Sequence, residues 1–276
     1  MIAQNFEYAA PETLNEALNL LAGGNAKPLA GGMSLIPLMK LRLAAPEQLI
    51  DIGRLKELNY IEVHSDHLHI GAGTTHWQVL DSSVIRQHCP LLSETVANIG
   101  DIQVRNQGTI GGSAAHADPA ADYPASFCAL EAKFKLVRKD GERVVSAGDF
   151  FVDMLTTILE PGEIISEVIV PIEQGGVGVS YQKCVHPASG YAIVGIAARV
   201  SSSLVRIGVT GLAAKAYRAH AAEDAYTATR DPAKSAAVIA EGVDANSDLH
   251  ASATYRKHLA QVYAQRALKQ AASRMA

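Results

Sequence analysis

TIGGSAAHADPAADYPA, residues 109–125, holds the densest group of chemically useful side chains in this sequence. Two adjacent glycines stand between two hydroxyl side chains, and His116, Asp118 and Asp122 follow shortly after them. These residues fit three kinds of site: a divalent metal centre, a pair of acid and base carboxylates, or a loop that holds a cofactor. They also fit a structural role, in which Asp118 accepts turn amides and Asp122 caps the following helix. Spacing alone leaves these alternatives open.

A second glycine pair occurs earlier, in AGGMSLIPLMKLRL, where residues 31–32 follow a predicted strand and precede a predicted helix. Ser34 is predicted to cap that helix, and Pro37 to lie in its first turn. Glycine lets backbone N–H groups approach a phosphate closely, and hydroxyls such as those of Thr109 and Ser113 donate to phosphate oxygens. Either glycine pair alone is more often a turn, but two such loops suit a diphosphate. Neither loop matches the G-x-G-x-x-G or P-loop fingerprint.

Strands and helices are mixed irregularly along the chain, which predicts an α+β fold rather than a regular βαβ array. The predicted strands and hairpins cover residues 3–8, 27–30, 59–64, 67–73, 133–145, 163–171, 179–185, 191–200 and 204–212. The predicted helices begin at Pro11 and after Ser34, and further helices cover residues 76–97, 122–129 and 254–272. The glycine-rich segment IEQGGVGVS, residues 172–180, breaks the periodicity and predicts a domain boundary.

The composition argues against several classes of function. The formal net charge is −4, from 24 basic and 28 acidic residues, and no run of like charges indicates nucleic-acid binding. Cys89, Cys128 and Cys184 form no zinc or iron–sulfur motif and are typical of a reducing compartment. The sequence shows no signal peptide, and its apolar runs fall short of the ~20 residues that span a membrane. We therefore expect a cytoplasmic protein.

The two glycine loops resemble a known family when their flanking residues are included. AGGMSLIPLMKLRL and VRNQGTIGGSAAHADPAADYPA are similar to the two FAD-binding segments of the medium subunit of molybdenum-containing hydroxylases, the carbon monoxide dehydrogenase and xanthine dehydrogenase family. The resemblance continues, in the same order, through LEPGEIISEVIVP, QKCVHPASGYAIVGIAARV and VTGLAAKAYRA. It thus covers nearly the whole chain.

This resemblance implies an FAD-binding domain of the vanillyl-alcohol oxidase and p-cresol methylhydroxylase type over residues 1–174, with subdomains at about 1–57 and 58–174. It implies a smaller α+β domain of the carbon monoxide dehydrogenase flavoprotein type over residues 175–276. Residues 30–35 and 109–113 would wrap the diphosphate, and His116 would support its loop. The complete set of implied FAD-binding residues is Ala30, Gly31, Gly32, Met33, Ser34, Leu35, Ile102, Thr109, Ile110, Gly111, Gly112, Ser113, Asp122, Leu159, Lys183 and Tyr191.

The resemblance also implies a role in electron transfer. The chain would take electrons from a small [2Fe–2S] subunit, next to a large molybdopterin subunit, and pass them from FAD to an external acceptor. The family suggests a dimer of heterotrimers. No residue of this chain is expected to act as a catalytic acid or base, and no metal is expected in it. Met33 follows the first glycine pair, and because a thioether is a poor nucleophile we expect non-covalent FAD. The alternatives are a free-standing flavoenzyme, with His76 or His186 as a base, and a non-redox binding module.

Overall fold

A computed structural model describes residues 2–173 and 175–275; of the predicted boundary segment, Gln174 lies outside the described residues. The α+β prediction is confirmed, because these residues form four separate β-sheets that are packed with helices of varied length. Among the described residues, no helix is both long enough and apolar enough to cross a membrane.

The first part of the chain forms a small parallel sheet. Its central strand pairs with both neighbours in parallel, in the order β1-β3-β2. The apolar stripe of the first helix, Ala17, Leu18 and Leu21, is buried against this sheet. Its elements are β1 (Glu7–Ala9), α1 (Leu14–Leu21), β2 (Ala26–Leu29), α2 (Leu35–Lys40) and β3 (Gln48–Asp51).

The middle of the chain contains an antiparallel sheet of five strands in the order β4-β5-β10-β6-β7. Its long strand β10 lies at the centre and is almost entirely buried, as its apolar sequence predicts. The strands of this region are β4 (Ile61–His64), β5 (His67–Gly71), β6 (Lys133–Arg138), β7 (Gly141–Ser146), the small pair β8 (Phe151–Asp153) and β9 (Thr156–Thr157), and β10 (Ile164–Pro171). A 3₁₀ turn covers Lys56–Leu58.

Seven helices belong to the same region: α3 (His76–Asp81), α4 (Ser83–His88), α5 (Pro90–Ala97), α6 (Ile102–Gln107), α7 (Ile110–His116), α8 (Tyr123–Leu130) and α9 (Ala147–Phe150). The single helix predicted over residues 76–97 is therefore wrong. Ser82 adopts an extended conformation and accepts the amide of Ile85, so that it caps a new helix. Pro90 then starts the third helix, since a proline disfavours helical backbone in the residue before it.

The last part of the chain carries an antiparallel sheet in the order β11-β12-β13-β14, covered by the long helix α12. The three strands predicted here are present. The elements are β11 (Gly178–Val185), β12 (Ala192–Val200), β13 (Val205–Thr210), β14 (Tyr217–Arg218), α10 (His220–Thr229), α11 (Pro232–Ala237) and α12 (Ala253–Ser273).

One apolar core joins the regions on the two sides of Gln174. It contains Phe127 and Phe134 of the middle region together with Val179, Tyr181 and Ala197 of the last sheet. Backbone contacts strengthen this junction, because strand β13 lies directly on helix α8: a Cβ at Gly208 would stand 1.8 Å from the carbonyl oxygen of Ala125. The last sheet is therefore packed closely against the helix that follows Asp122.

Two predictions near the N-terminus need correction in their bounds. The strand expected over residues 3–8 is Glu7–Ala9, and the helix expected at Pro11 begins at Leu14. Thr13 is the reason for the later start, since its hydroxyl accepts the amide of Glu16 at 3.2 Å and caps the helix.

Candidate functional site

The two glycine loops lie against each other. A Cβ at Gly31 would stand 1.9 Å from the carbonyl oxygen of Gln107, so the first loop touches the backbone that leads into the second. A Cβ at Gly112 would come within 4.0 Å of the Cβ of Ala30. Glycine is therefore required at position 31 by backbone packing, and the two loops form one continuous surface.

The first loop presents a row of unused backbone donors. Within the described chain, the N–H groups of Gly31, Gly32, Met33, Ser34 and Leu35 donate to no protein acceptor, and bonding resumes with the amide of Ile36. Gly32 has a φ of +71°, a conformation that glycine adopts without strain. Ser34 is the N-cap residue of α2, as predicted, but its hydroxyl makes no cap hydrogen bond. Consecutive free amides of this kind suit an anion.

The second loop is built differently from the prediction. Residues 110–116 are helical, and their first amides are already used: Ile110 donates to Thr74 at 3.0 Å and Gly111 to Ala72 at 2.9 Å. Thr109 caps the helix by accepting the amide of Gly112 at 3.0 Å. The second loop therefore offers the exposed face of Gly112 and hydroxyl groups to a ligand, rather than a row of free amides.

Asp122 lies in a buried polar cluster. Its Oδ1 accepts the hydroxyl of Tyr181 at 2.5 Å, and its Oδ2 accepts the ammonium of Lys183 at 2.9 Å. The Asp122 and Lys183 side chains are only 6% and 1% exposed. Burial raises the pKa of Asp122 to about 6, while the Lys183 charge and the Tyr181 hydrogen bond oppose that rise. The helix-cap alternative for Asp122 is wrong, since its side chain makes no cap hydrogen bond.

The remaining predicted cofactor residues fall into exposed and packed groups. Met33, Ile102 and Tyr191 are 39%, 56% and 42% exposed, which leaves apolar surface available to a ligand. Leu159 packs against the central core. The pKa of the Tyr191 phenol is raised by burial and by the carboxylates of Asp118 and Asp122, so Tyr191 lies near the buried cluster.

The geometry does not support the hypothesis that residues 116–122 bind a divalent metal ion. Asp118 accepts the amide of Ala120 at 2.8 Å, which is the turn role considered from the sequence. Across residues 2–173 and 175–275, no three His, Cys, Asp or Glu side chains are grouped so that they would hold a metal ion.

His76 is buried at the start of α3, with its ring beside Gly108. Burial, aided by the charge of Arg105, lowers the pKa of His76 to about 4. Because this value lies below the ordinary 6.5, unfolding takes up a proton between pH 6.5 and 4, and acidification through that window favours unfolding. We expect the protonation of His76 on unfolding to make the free energy of unfolding ~2 kcal/mol lower at pH 5 than at pH 7.

Urea unfolding of the wild type and of His76→Gln at both pH values measures this contribution. The variant should lose less stability on acidification than the wild type by about that amount. An identical loss in both proteins would contradict the buried neutral imidazole.

Comparison with known proteins agrees with this geometry. A family model for the FAD-binding domain of molybdopterin dehydrogenases matches residues 4–173, and a model for the C-terminal domain of carbon monoxide dehydrogenase flavoproteins matches residues 179–271. The chain belongs to the family of FAD-binding medium subunits of molybdenum hydroxylases. FAD is therefore the cofactor of this molybdenum hydroxylase medium subunit, and the chain is an oxidoreductase subunit.

Relatives of this medium subunit match along its full length. The carbon monoxide dehydrogenase medium chain of Hydrogenophaga pseudoflava is 39% identical over 290 residues, covering all of both chains. The glyceraldehyde dehydrogenase medium chain of Sulfolobus acidocaldarius is 36% identical over 282 residues, covering 99% of this chain and all of that one. A solved structure of the Hydrogenophaga pseudoflava enzyme, lacking the Mo-pyranopterin moiety, superimposes with a TM-score of 0.96 over all of both chains.

The sequence reasoning missed one member of the buried cluster. Tyr181 touches Asp122 across 59 residues of chain, and nothing near either residue predicts that contact. Strand periodicity was the available signal, because Tyr181 and Lys183 lie two positions apart on β11 and so share a face.

Proposed function

We propose that this chain is the FAD-binding electron-transfer subunit of a molybdenum hydroxylase complex. In this proposal it accepts electrons from an iron–sulfur subunit and passes them on to an external acceptor. The row of free amides at residues 31–35 carries the proposal, because a diphosphate needs several convergent donors and these have no partner among the described residues. FAD, when bound, supplies the ability to take up electrons singly and release them in pairs.

The residues proposed to hold the cofactor divide by chemistry. Backbone amides and small side chains face the diphosphate, Asp122 faces cofactor hydroxyls, and apolar or aromatic side chains lie along the ring system. The proposed set is Ala30, Gly31, Gly32, Met33, Ser34, Leu35, Ile102, Thr109, Ile110, Gly111, Gly112, Ser113, Asp122, Leu159, Lys183 and Tyr191. The protein contributes position and electrostatics, and we assign no acid or base role to any of its side chains.

Two partners are part of the proposal: a small [2Fe–2S] subunit and a large molybdopterin subunit, assembled as a dimer of heterotrimers in the cytoplasm. The names of the relatives support it, since a medium chain implies other chains. Those relatives are named for different substrates, so we propose that the large subunit selects the substrate.

We further propose that a domain boundary lies near residue 175. The five-stranded and four-stranded sheets share no strand, and the two family matches end and begin on either side of this point. Within the first domain, we assign the parallel sheet formed by residues 7–51 to the proposed smaller subdomain at about 1–57.

A visible absorption spectrum of the protein purified from its native host, before and after dithionite, tests the proposed function. We expect flavin bands that bleach, over an iron–sulfur shoulder from partners that co-purify. A bleaching flavin with no partner would favour a free-standing flavoenzyme. A colourless chain that takes up no added FAD would refute the cofactor site.

The bound FAD is expected to be non-covalent, because the side chain beside the first loop's glycines is the thioether of Met33. Acid precipitation should therefore release all flavin absorbance into the supernatant. Yellow colour that stays with the washed, denatured pellet would contradict this expectation.

A further inference from the structure

Tyr181 and Lys183 reach the same carboxylate from one strand. They lie two positions apart on β11, so both side chains project from the same face of the last sheet, toward helix α8. Tyr181 takes one oxygen of Asp122 and Lys183 takes the other. The ammonium of Lys183 also donates to the carbonyl of Asn98 at 2.8 Å. The carboxylate is thus held by two donors whose spacing is set by the strand.

Two further contacts hold Tyr181 in place, one at its hydroxyl and one at its backbone amide. Gly195, on the neighbouring strand β12, leaves the space that the phenol occupies, since a Cβ there would stand 2.5 Å from the hydroxyl oxygen. The backbone amide of Tyr181 donates to the Glu94 carboxylate of α5 at 3.0 Å. Tyr181 is itself only 4% exposed. A hydroxyl held this closely directs the Asp122 carboxylate rather than following it.

We propose that Tyr181 is a positioning residue for the cofactor, whose hydroxyl holds the Asp122 carboxylate in the orientation in which Asp122 and Lys183 meet FAD. The inference rests on the proposed function, because it gives Asp122 and Lys183 their role at FAD. Tyr181 itself acts through Asp122.

The electrostatics of the cluster agree with this role. Burial and the nearby Asp122 charge raise the pKa of Tyr181 well above its usual value, so the phenol remains a hydrogen-bond donor. The titratable groups that face Asp122 are Lys183 and Tyr181 on β11, Tyr123 on α8, and Tyr191 at the start of β12. Of these, Lys183 and Tyr181 stabilise the anion. Removing the Tyr181 hydroxyl therefore raises the pH at which Asp122 loses its proton.

The test is FAD binding to the flavin-free full chain, followed by fluorescence quenching at a series of pH values from 5.5 to 8.5. We expect Tyr181→Phe to weaken FAD binding about 10-fold at neutral pH, because the Asp122 carboxylate loses the donor that orients it toward FAD. As the pH is lowered, FAD binding should weaken when Asp122 takes up its proton, and in Tyr181→Phe we expect this to happen about one pH unit higher than in the wild type. Tyr60→Phe is the matched control, since the Tyr60 hydroxyl donates to a different carboxylate, Glu167, at 2.7 Å.

A second variant keeps the hydroxyl but displaces it. Gly195→Ala places a methyl group where the Tyr181 hydroxyl lies, and should reproduce the pH shift if Tyr181→Phe fails to fold. Unchanged affinity and an unchanged pH profile in Tyr181→Phe, with wild-type FAD binding intact, would overturn the inference and leave the proposed function standing. Failure of the wild type to bind FAD at any pH would overturn both.

Discussion

Gly112→Val is expected to abolish FAD binding while the chain remains folded. Gly112 is exposed at the start of α7, and a Cβ there would stand 2.8 Å from the Thr109 hydroxyl, too close for an ordinary contact, so the Thr109 side chain must turn away; its other near neighbour, the Cβ of Ala30, lies at 4.0 Å. Valine therefore costs the helix little more than its Thr109 cap, ~1 kcal/mol. Its methyl groups, however, occupy the surface shared by the two loops. We expect FAD binding weaker by about 100-fold or more, equivalent to ~2.7 kcal/mol.

Flavin content after reconstitution and the thermal unfolding midpoint together measure this prediction. Gly111→Val is the contrasting variant: its Cβ would stand 2.4 Å from the Cβ of Ala72, so it should damage folding itself. Gly141→Val, at an open hairpin position, should change neither property. Normal flavin content in Gly112→Val would remove the second loop from the cofactor site.

Asp122→Ala is expected to destabilise the fold by ~3–5 kcal/mol. The reason is the partner that remains, since the Lys183 side chain is 1% exposed and its ammonium would be left buried without a counter-charge. A buried charge without its partner costs more than the pair contributes when intact. This penalty exceeds the direct loss of one hydrogen bond to FAD, ~1.5–3 kcal/mol, so stability and FAD affinity must be measured separately.

Denaturant unfolding of Asp122→Ala, Lys183→Met and the double variant separates the two effects. The double variant removes both charges and should be more stable than Asp122→Ala alone, which is the signature of a coupled pair. If Asp122→Ala unfolds at the same denaturant concentration as the wild type, the buried ion pair does not exist in solution.

Sequence patterns predicted element types better than element ends. The strands of the last sheet and the hairpin at residues 61–71 follow from alternation and turn residues, and they are present. The helix over residues 76–97 failed because apolar residues recur at helical spacing across both breaks. Ser82 and Pro90 mark those breaks, and each has a local reason: a cap in one case and a proline in the other.

At the candidate site, too, some features were predictable from the sequence and others were not. That the two glycine loops act together was predicted from the two Gly-Gly motifs and their neighbours, but the helical conformation of residues 110–116 was missed because glycine is a poor helix former. The Thr109 cap was the available signal for that helix. The contacts of Asp122 with Tyr181 and Lys183 join residues 59 and 61 positions apart. Such contacts depend on how the last sheet packs on α8, which no local pattern encodes.

The shared apolar core has a consequence for how the chain loses its structure. Because residues from both sides of Gln174 pack into one apolar cluster, we expect the two parts of the chain to unfold together. Calorimetry should therefore show a single cooperative endotherm, with the calorimetric and van't Hoff enthalpies in agreement. A fragment ending near residue 175 would expose the surface that Val179, Tyr181 and Ala197 now cover. Bacterial hosts that express such a fragment should accumulate it as inclusion bodies.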